Sequence, residues 1–166
     1  MDKLFFSEEH IMLVNMVADF ARSEIEPIAR ELDHESRFPK DIITKMGDLG
    51  LMGIPVPEQY GGAGMDTVAY AAAIMELAKA DASVAITVAA HTSLGTMPIV
   101  LSGSEEQKKE YVPKLASGKM LGAFGLTEPD AGSDAGATKT TAEKNGDYYI
   151  VNGGKIFITN AGVAGI

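Results

Sequence analysis

A chain of 166 residues that is 46% apolar and 22% charged has an ordinary globular composition, sufficient for one domain or a small pair. Its 14 Lys and Arg against 23 Asp and Glu give a net charge of −9, which excludes the basic footprint of a nucleic-acid binder and disfavours adsorption to an anionic membrane. With no cysteine, disulfides, thiolate catalysis and cysteine zinc sites are excluded, and the three histidines, His10, His34 and His91, are too scattered for a metal cluster.

Residues 8–33 read as a helix, with Leu13, Val17, Phe20, Ile28 and Leu32 on one face. Ser7 is its N-cap, and Pro27 is placed to kink or split it. Residues 1–9 hold neither a signal-peptide core nor an Arg-rich transit segment, which gives the expectation of a cytoplasmic protein. A second helix over 41–49 stops at Gly50. Residues 50–64 hold two prolines and five glycines and read as a loop. Asp66 can cap a third helix to about residue 80. Asp81 or Ser83 can cap a fourth, to about residue 101, distorted near its end by Pro98. Both helices are rich in alanine and nearly uncharged, so they are expected to be buried. No run of 18 apolar residues is expected, hence no membrane insertion. Ser104 and Gln107 have capping-box spacing for a fifth helix that ends near Gly118.

After Gly118 the period changes from helical to extended. Residues 120–126 form a short apolar run, read as a strand ending at Thr127. Residues 139–144 lead into Asn145-Gly146, the strongest short hairpin signal, followed by 148–152. Gly153-Gly154 marks another turn before a strand at 155–159. Three or four short strands are near the minimum for an independent sheet, and the last begins eleven residues before Ile166. The fold is therefore expected to continue past Ile166.

Residues 122–136 hold the chemistry-bearing loop. Pro129, Gly132 and Gly136 can leave backbone N–H groups free for an anion, with the Thr127 and Ser133 hydroxyls at either end. A solvated turn whose Asp and Ser satisfy their own backbone explains the same composition. The loop is not a Walker A motif, because Gly154-Lys155 is followed by Ile156, and no Gly-x-Gly-x-x-Gly opens a helix. Glu128 and Asp134 lie six apart, a spacing that fixes no acid–base geometry.

Gly125-Leu-Thr-Glu-Pro-Asp-Ala-Gly-Ser-Asp134 resembles the signature of the flavin-dependent acyl-CoA dehydrogenases. Lys155-Ile-Phe-Ile-Thr-Asn160 resembles that family's second flavin segment. Pro57-Glu-Gln-Tyr-Gly-Gly62, Glu105-Glu-Gln-Lys108 and His91-Thr-Ser-Leu-Gly-Thr-Met-Pro98 extend the likeness over essentially the whole chain. The resemblance implies an α+β architecture. An N-terminal all-α helical bundle (1–118) would precede the start of an antiparallel β-barrel-like middle domain (119–166), with a C-terminal helical domain absent from this chain.

It also implies FAD as cofactor, bound between the middle and C-terminal domains and touching a neighbouring subunit of a homo-tetramer. The implied reaction converts an acyl-CoA to the trans-2-enoyl-CoA. A glutamate takes the α-proton, the β-hydrogen leaves as hydride to flavin N5, and electrons pass on to electron-transfer flavoprotein.

Carried over residue by residue, Leu126 and Thr127 would bond the flavin pyrimidine edge, and Gly132 and Ser133 the pyrophosphate. Phe124 would line the site, Phe157 would pack on the ring, and Ile158 and Thr159 would lie near N5. Ser133 would also meet the acyl-CoA, with His91, Ser93 and Leu94 beside the acyl pocket. Phe157 departs from the Trp of many members, keeping the apolar face and losing the indole donor. Asp130 replaces a small residue or Asn and is expected to face solvent. Glu128 and Asp134 are expected to anchor turn and strand end. No catalytic residue is assigned, because the family's glutamate lies outside the matched segments. The likeness is to short-chain, butyryl-CoA-type bacterial members, which suggests a C4 substrate. The alternative is a truncated, non-catalytic folding or interaction module. For the 166-residue piece alone, weak or absent FAD binding and no turnover are expected.

Overall fold

The structure is a computed structural model and describes residues 6–166. Part of the reading of residues 1–9 as free of a targeting segment therefore lies outside the described residues.

Helix α1 (Glu8–Phe20) starts at Ser7, whose hydroxyl accepts from the His10 N–H. His10 completes the capping box: its Nδ1 accepts from the Ser7 N–H at 3.2 Å. The opposite ring nitrogen then faces Asp66 Oδ1 at 2.9 Å. Asp66 also caps α4 (Thr67–Ala80) through the Ala69 N–H, so one imidazole joins two helix starts. Helix α1 runs on into a π-helical turn, Ala21–Ile25, and then breaks at Pro27 as expected. It resumes as α2 (Ala29–Glu35). Helix α3 (Lys40–Asp48) ends before Gly50, which takes the left-handed conformation, φ 75°, that glycine adopts without a Cβ penalty.

Residues 82–102 form one continuous helix in three parts: α5 (Ala82–Ala89), a π-helical stretch (Ala90–Thr96) and α6 (Met97–Ser102). Asp81, not Ser83, is its cap and accepts from the Val84 N–H at 2.9 Å. The distortion expected near Pro98 lies upstream of it. A proline ring excludes the carbonyl four residues back, and the wider π turn makes room for it. Side chains take up the loosened carbonyls: Thr96 Oγ1 donates to His91 O at 2.9 Å and Ser93 Oγ to Ala89 O at 2.6 Å. This 21-residue helix is long and apolar enough to cross a membrane by length and composition. It is not an unbroken apolar run, since seven polar Ser, Thr and His residues interrupt it. Half of its most apolar window is buried inside the protein, the pattern of a core helix.

Helix α7 (Glu105–Ala116) begins with the expected Ser104–Gln107 capping box. The main core joins Val17 and Ile25 of the first helical run to Ile42 and Met46 of α3. Leu51, Met52 and Ile54 of the loop, Leu77 of α4, and Val84 and Val88 of α5 complete it. A smaller cluster of Val56, Tyr60, Val112 and Ala116 seats α7 on the proline-glycine loop.

Beyond Gly118 only two strands form, β1 (Thr141–Asn145) and β2 (Tyr148–Asn152). They pair antiparallel around Asn145-Gly146, with Thr141 opposite Asn152. The strands expected at 120–126 and 155–159 are absent. Leu121 and Ala123 bond only to Gly165 and Ile166, and Ile156 bonds only once, to Thr127. A strand needs a ladder along its length, and neither segment finds one among the described residues. Phe157 and Asn160 leave extended geometry altogether, with φ 55° and 69°. The architecture is a helical N-terminal domain followed by a two-stranded beginning of a β domain.

Candidate functional site

The loop that follows the helices is positioned by His91. Its ring is fully buried, with Nε2 3.2 Å from Leu115 O and Nδ1 accepting from the Gly122 N–H at 3.0 Å. Accepting at Nδ1 places the proton on Nε2, which donates to Leu115, so the ring is neutral. Burial pushes its pKa down to about 4. His91 therefore clamps helix, α7 and loop together, and both of its nitrogens are spent on backbone. Gly95 and Gly122 meet beside this clamp. A Cβ on Gly95 would fall 2.6 Å from Gly122 Cα, so the helix and the loop approach at a distance only glycine allows. Asn160 closes the same junction, donating to Thr87 O at 3.0 Å and Gly122 O at 3.3 Å.

From Gly122 the chain runs out along Phe124, Gly125, Leu126 and Thr127, with 155–159 beside it. The Ile156 N–H donates to Thr127 O at 2.8 Å, and Lys155 Nζ to Leu126 O at 3.0 Å. Glu128 holds this pair in place. It is buried, accepts the backbone N–H groups of Lys139 at 2.6 Å and Thr140 at 3.0 Å, and pairs with Lys155 Nζ at 2.7 Å. These donors, the Lys139 N–H first, hold the Glu128 carboxyl down to about 2. Glu128 thus anchors the loop to the entrance of β1. Asp130 faces solvent and meets Lys139 Nζ at 3.1 Å.

Two of the sequence-read segments come together, and the groups they present are unspent. Among the described residues no acceptor lies against the N–H groups of Leu126, Thr127, Ile158 or Thr159, nor against those of Gly132 and Ser133 further along the loop. The hydroxyls of Thr127 and Ser133 make no hydrogen bond to the described protein. Phe124 and Leu126 are about half exposed, and Phe157 is 89% exposed. The open Phe157 ring rules out the core-strand role that an aromatic in a strand-like run suggests. Its left-handed backbone is unusual for a bulky side chain, a feature that clusters at ligand sites.

Free donors beside exposed apolar rings suit a flat heterocycle with polar edges, and an open Gly132 leaves space for a bulky anion. The donor set and the steric room fit FAD. Of the residues expected beside an acyl pocket, Leu94 is exposed and Ser93 bonds within its own helix, whereas His91 points inward. The sequence had not revealed Lys155 and Asn160 as structural ties. Their polar character inside an otherwise apolar run was the available signal. An apolar cleft of about 510 Å³ between Phe38, Ile43, Met120 and Val163 contains none of the candidate flavin residues. The site is a ledge and not a pocket.

Residues 7–119 match the acyl-CoA dehydrogenase N-terminal domain, and residues 123–166 the acyl-CoA dehydrogenase middle domain. The chain is 55% identical over 160 residues to an acyl-CoA dehydrogenase of Bacillus subtilis, covering 96% of this chain and 42% of that protein. It is 48% identical to a short-chain specific acyl-CoA dehydrogenase of Clostridium acetobutylicum, over 95% of this chain and 42% of the other. Among solved structures, an acyl-CoA dehydrogenase complexed with FAD from Bacillus anthracis superposes with a TM-score of 0.91 at 43% identity, over 99% of this chain and 28% of the other. A chain from a structure of the electron transferring flavoprotein of Acidaminococcus fermentans superposes with a TM-score of 0.94 at 46% identity, over 99% of this chain and 43% of the other. The chain spans about 42% of the length of the curated relatives it matches. With both domain matches in order along it, the chain belongs to the acyl-CoA dehydrogenase family.

Proposed function

We propose that this chain supplies the N-terminal domain (1–118) and the first part of the middle domain (119–166) of an FAD-dependent acyl-CoA dehydrogenase that desaturates a short-chain acyl-CoA to the trans-2-enoyl-CoA. One observation carries the reading. Residues 124–127 and 155–159 lie side by side with unpaired N–H groups and exposed apolar side chains, on a chain of this family.

When bound, FAD supplies the acceptor for the β-hydrogen as hydride. The chain's own residues bind and orient. Leu126 and Thr127 would offer donors to the pyrimidine edge, where such donors favour an anionic reduced ring. Gly132 and Ser133 offer N–H and hydroxyl donors to the pyrophosphate, and Ser133 also to the acyl-CoA. Phe124 would line the site, Phe157 would pack on the ring, and Ile158 and Thr159 would offer contacts near its N5 side. Ser93 and Leu94 border the acyl chain, with His91 holding their helix against the loop.

The Clostridium relative supports the short-chain preference, and the Acidaminococcus structure supports an electron-transfer flavoprotein as the electron acceptor. In this reading the holoenzyme is a cytoplasmic homo-tetramer, as the family resemblance implies. A ledge that leaves one side of the flavin open accounts for a further expectation: residues 1–166 alone hold FAD weakly or not at all and do not turn over.

The test is anaerobic addition of butyryl-CoA to the purified holoenzyme. The expected result is a flavin band near 450 nm that bleaches on addition. A colourless protein, or a band indifferent to every short acyl-CoA, contradicts the reading. The same assay on residues 1–166 alone is expected to show no bleaching.

A further inference from the structure

Lys155 Nζ sits between two acceptors, Glu128 Oε1 at 2.7 Å and Leu126 O at 3.0 Å. Glu128 is fixed independently by the Lys139 and Thr140 N–H groups, so it holds the ammonium in place. Gly125 lets the lysine stem pass, since a Cβ there would lie 3.3 Å from Lys155 Cγ. The Leu126 carbonyl and the Thr127 N–H belong to one planar, conjugated peptide unit. A cation on the carbonyl draws electron density from the nitrogen and makes the N–H a stronger donor. That N–H has no acceptor among the described residues.

Resting on the flavin reading above, we propose that Lys155, anchored by Glu128, is a positioning residue that polarises the Leu126–Thr127 peptide and so strengthens the Thr127 N–H as a donor to the reduced flavin. The effect is greater for the anionic reduced ring than for the oxidised one, so Lys155 raises the flavin's reduction potential as well as its affinity.

The experiment compares wild-type, Lys155→Met, Lys155→Gln and Lys155→Arg holoenzymes. It reads the flavin midpoint potential by titration against a reference dye, FAD dissociation by fluorescence, and folding by circular dichroism. Lys155→Met and Lys155→Gln are expected to lower the potential and weaken FAD binding about tenfold, the weight of one charge-assisted hydrogen bond. Lys155→Arg is expected to restore most of both. If Lys155→Met does not fold, Lys155→Gln carries the same test, since its amide can still donate to Leu126 O without the charge. A folded neutral variant with wild-type potential and affinity overturns the proposal. A wild-type protein that holds no flavin instead contradicts the flavin reading itself.

Discussion

In the helical domain, Val17, Ile25, Met46, Met52, Leu77 and Val88 pack together from separate stretches of chain, and the buried charge of Glu76 is met by Lys79. Beyond Gly122 only Glu128 and Ala131 are buried, and every residue of β1 and β2 is exposed. The first region is held by apolar burial. The second is held by directed polar ties: His91 to Gly122, Asn160 to Thr87, Lys155 to Glu128. A region ordered by polar ties and left open on its faces can offer its remaining donors to a ligand. A region ordered by a closed core cannot.

Substitutions can break this contrast, and the largest effect belongs to the core. Leu77→Ala is expected to destabilise the protein by about 2–5 kcal/mol in urea unfolding, because its fully buried side chain would leave a cavity. A loss under about 1 kcal/mol would mean the core is looser than described.

The junction between the regions comes next. Burial pushes the pKa of His91 from its ordinary 6.5 down to about 4. Between those values the unfolded chain binds more protons at this residue, so the contribution of His91 to stability is full above pH 6.5 and falls by about 3 kcal/mol as the pH drops to 4. His91→Leu is expected to flatten that slope while lowering stability throughout, since it strands the Gly122 N–H. An unchanged slope would assign the pH dependence elsewhere. Gly95→Ala forces a methyl onto Gly122 backbone and is expected to cost about 1–3 kcal/mol and to disturb the loop. The smallest effect on folding and the sharpest on function meet in Phe157→Ala. With the ring 89% exposed, stability is expected to change by less than about 0.5 kcal/mol. FAD affinity is expected to fall about tenfold, the weight of one aromatic packing contact.

The same contrast explains what the amino-acid sequence made legible. Ser7, Asp66 and Ser104 cap their helices as expected, Asp81 is the one of two candidates that caps the next, and Asn145-Gly146 makes its hairpin, because each is decided within a few residues. The supposed strands at 120–126 and 155–159 depend on distant partners that no local pattern specifies. The π-helical turn at Ala90–Thr96 and the inward turn of His91 depend on how Pro98 and Gly122 meet in three dimensions. The anchoring role of Glu128 follows from the family resemblance and not from its spacing, and its lysine partner lies 27 residues away, beyond the reach of any local pattern.

The contrast is tested most directly by hydrogen exchange of the holoprotein against its flavin-free form. The account predicts slow exchange in α1, α4, α5 and α7 in both forms, with FAD slowing exchange only in the stretches around 125–133 and 155–160. FAD-dependent protection at the cleft beside Phe38 and Met120, with none along those two stretches, would contradict it.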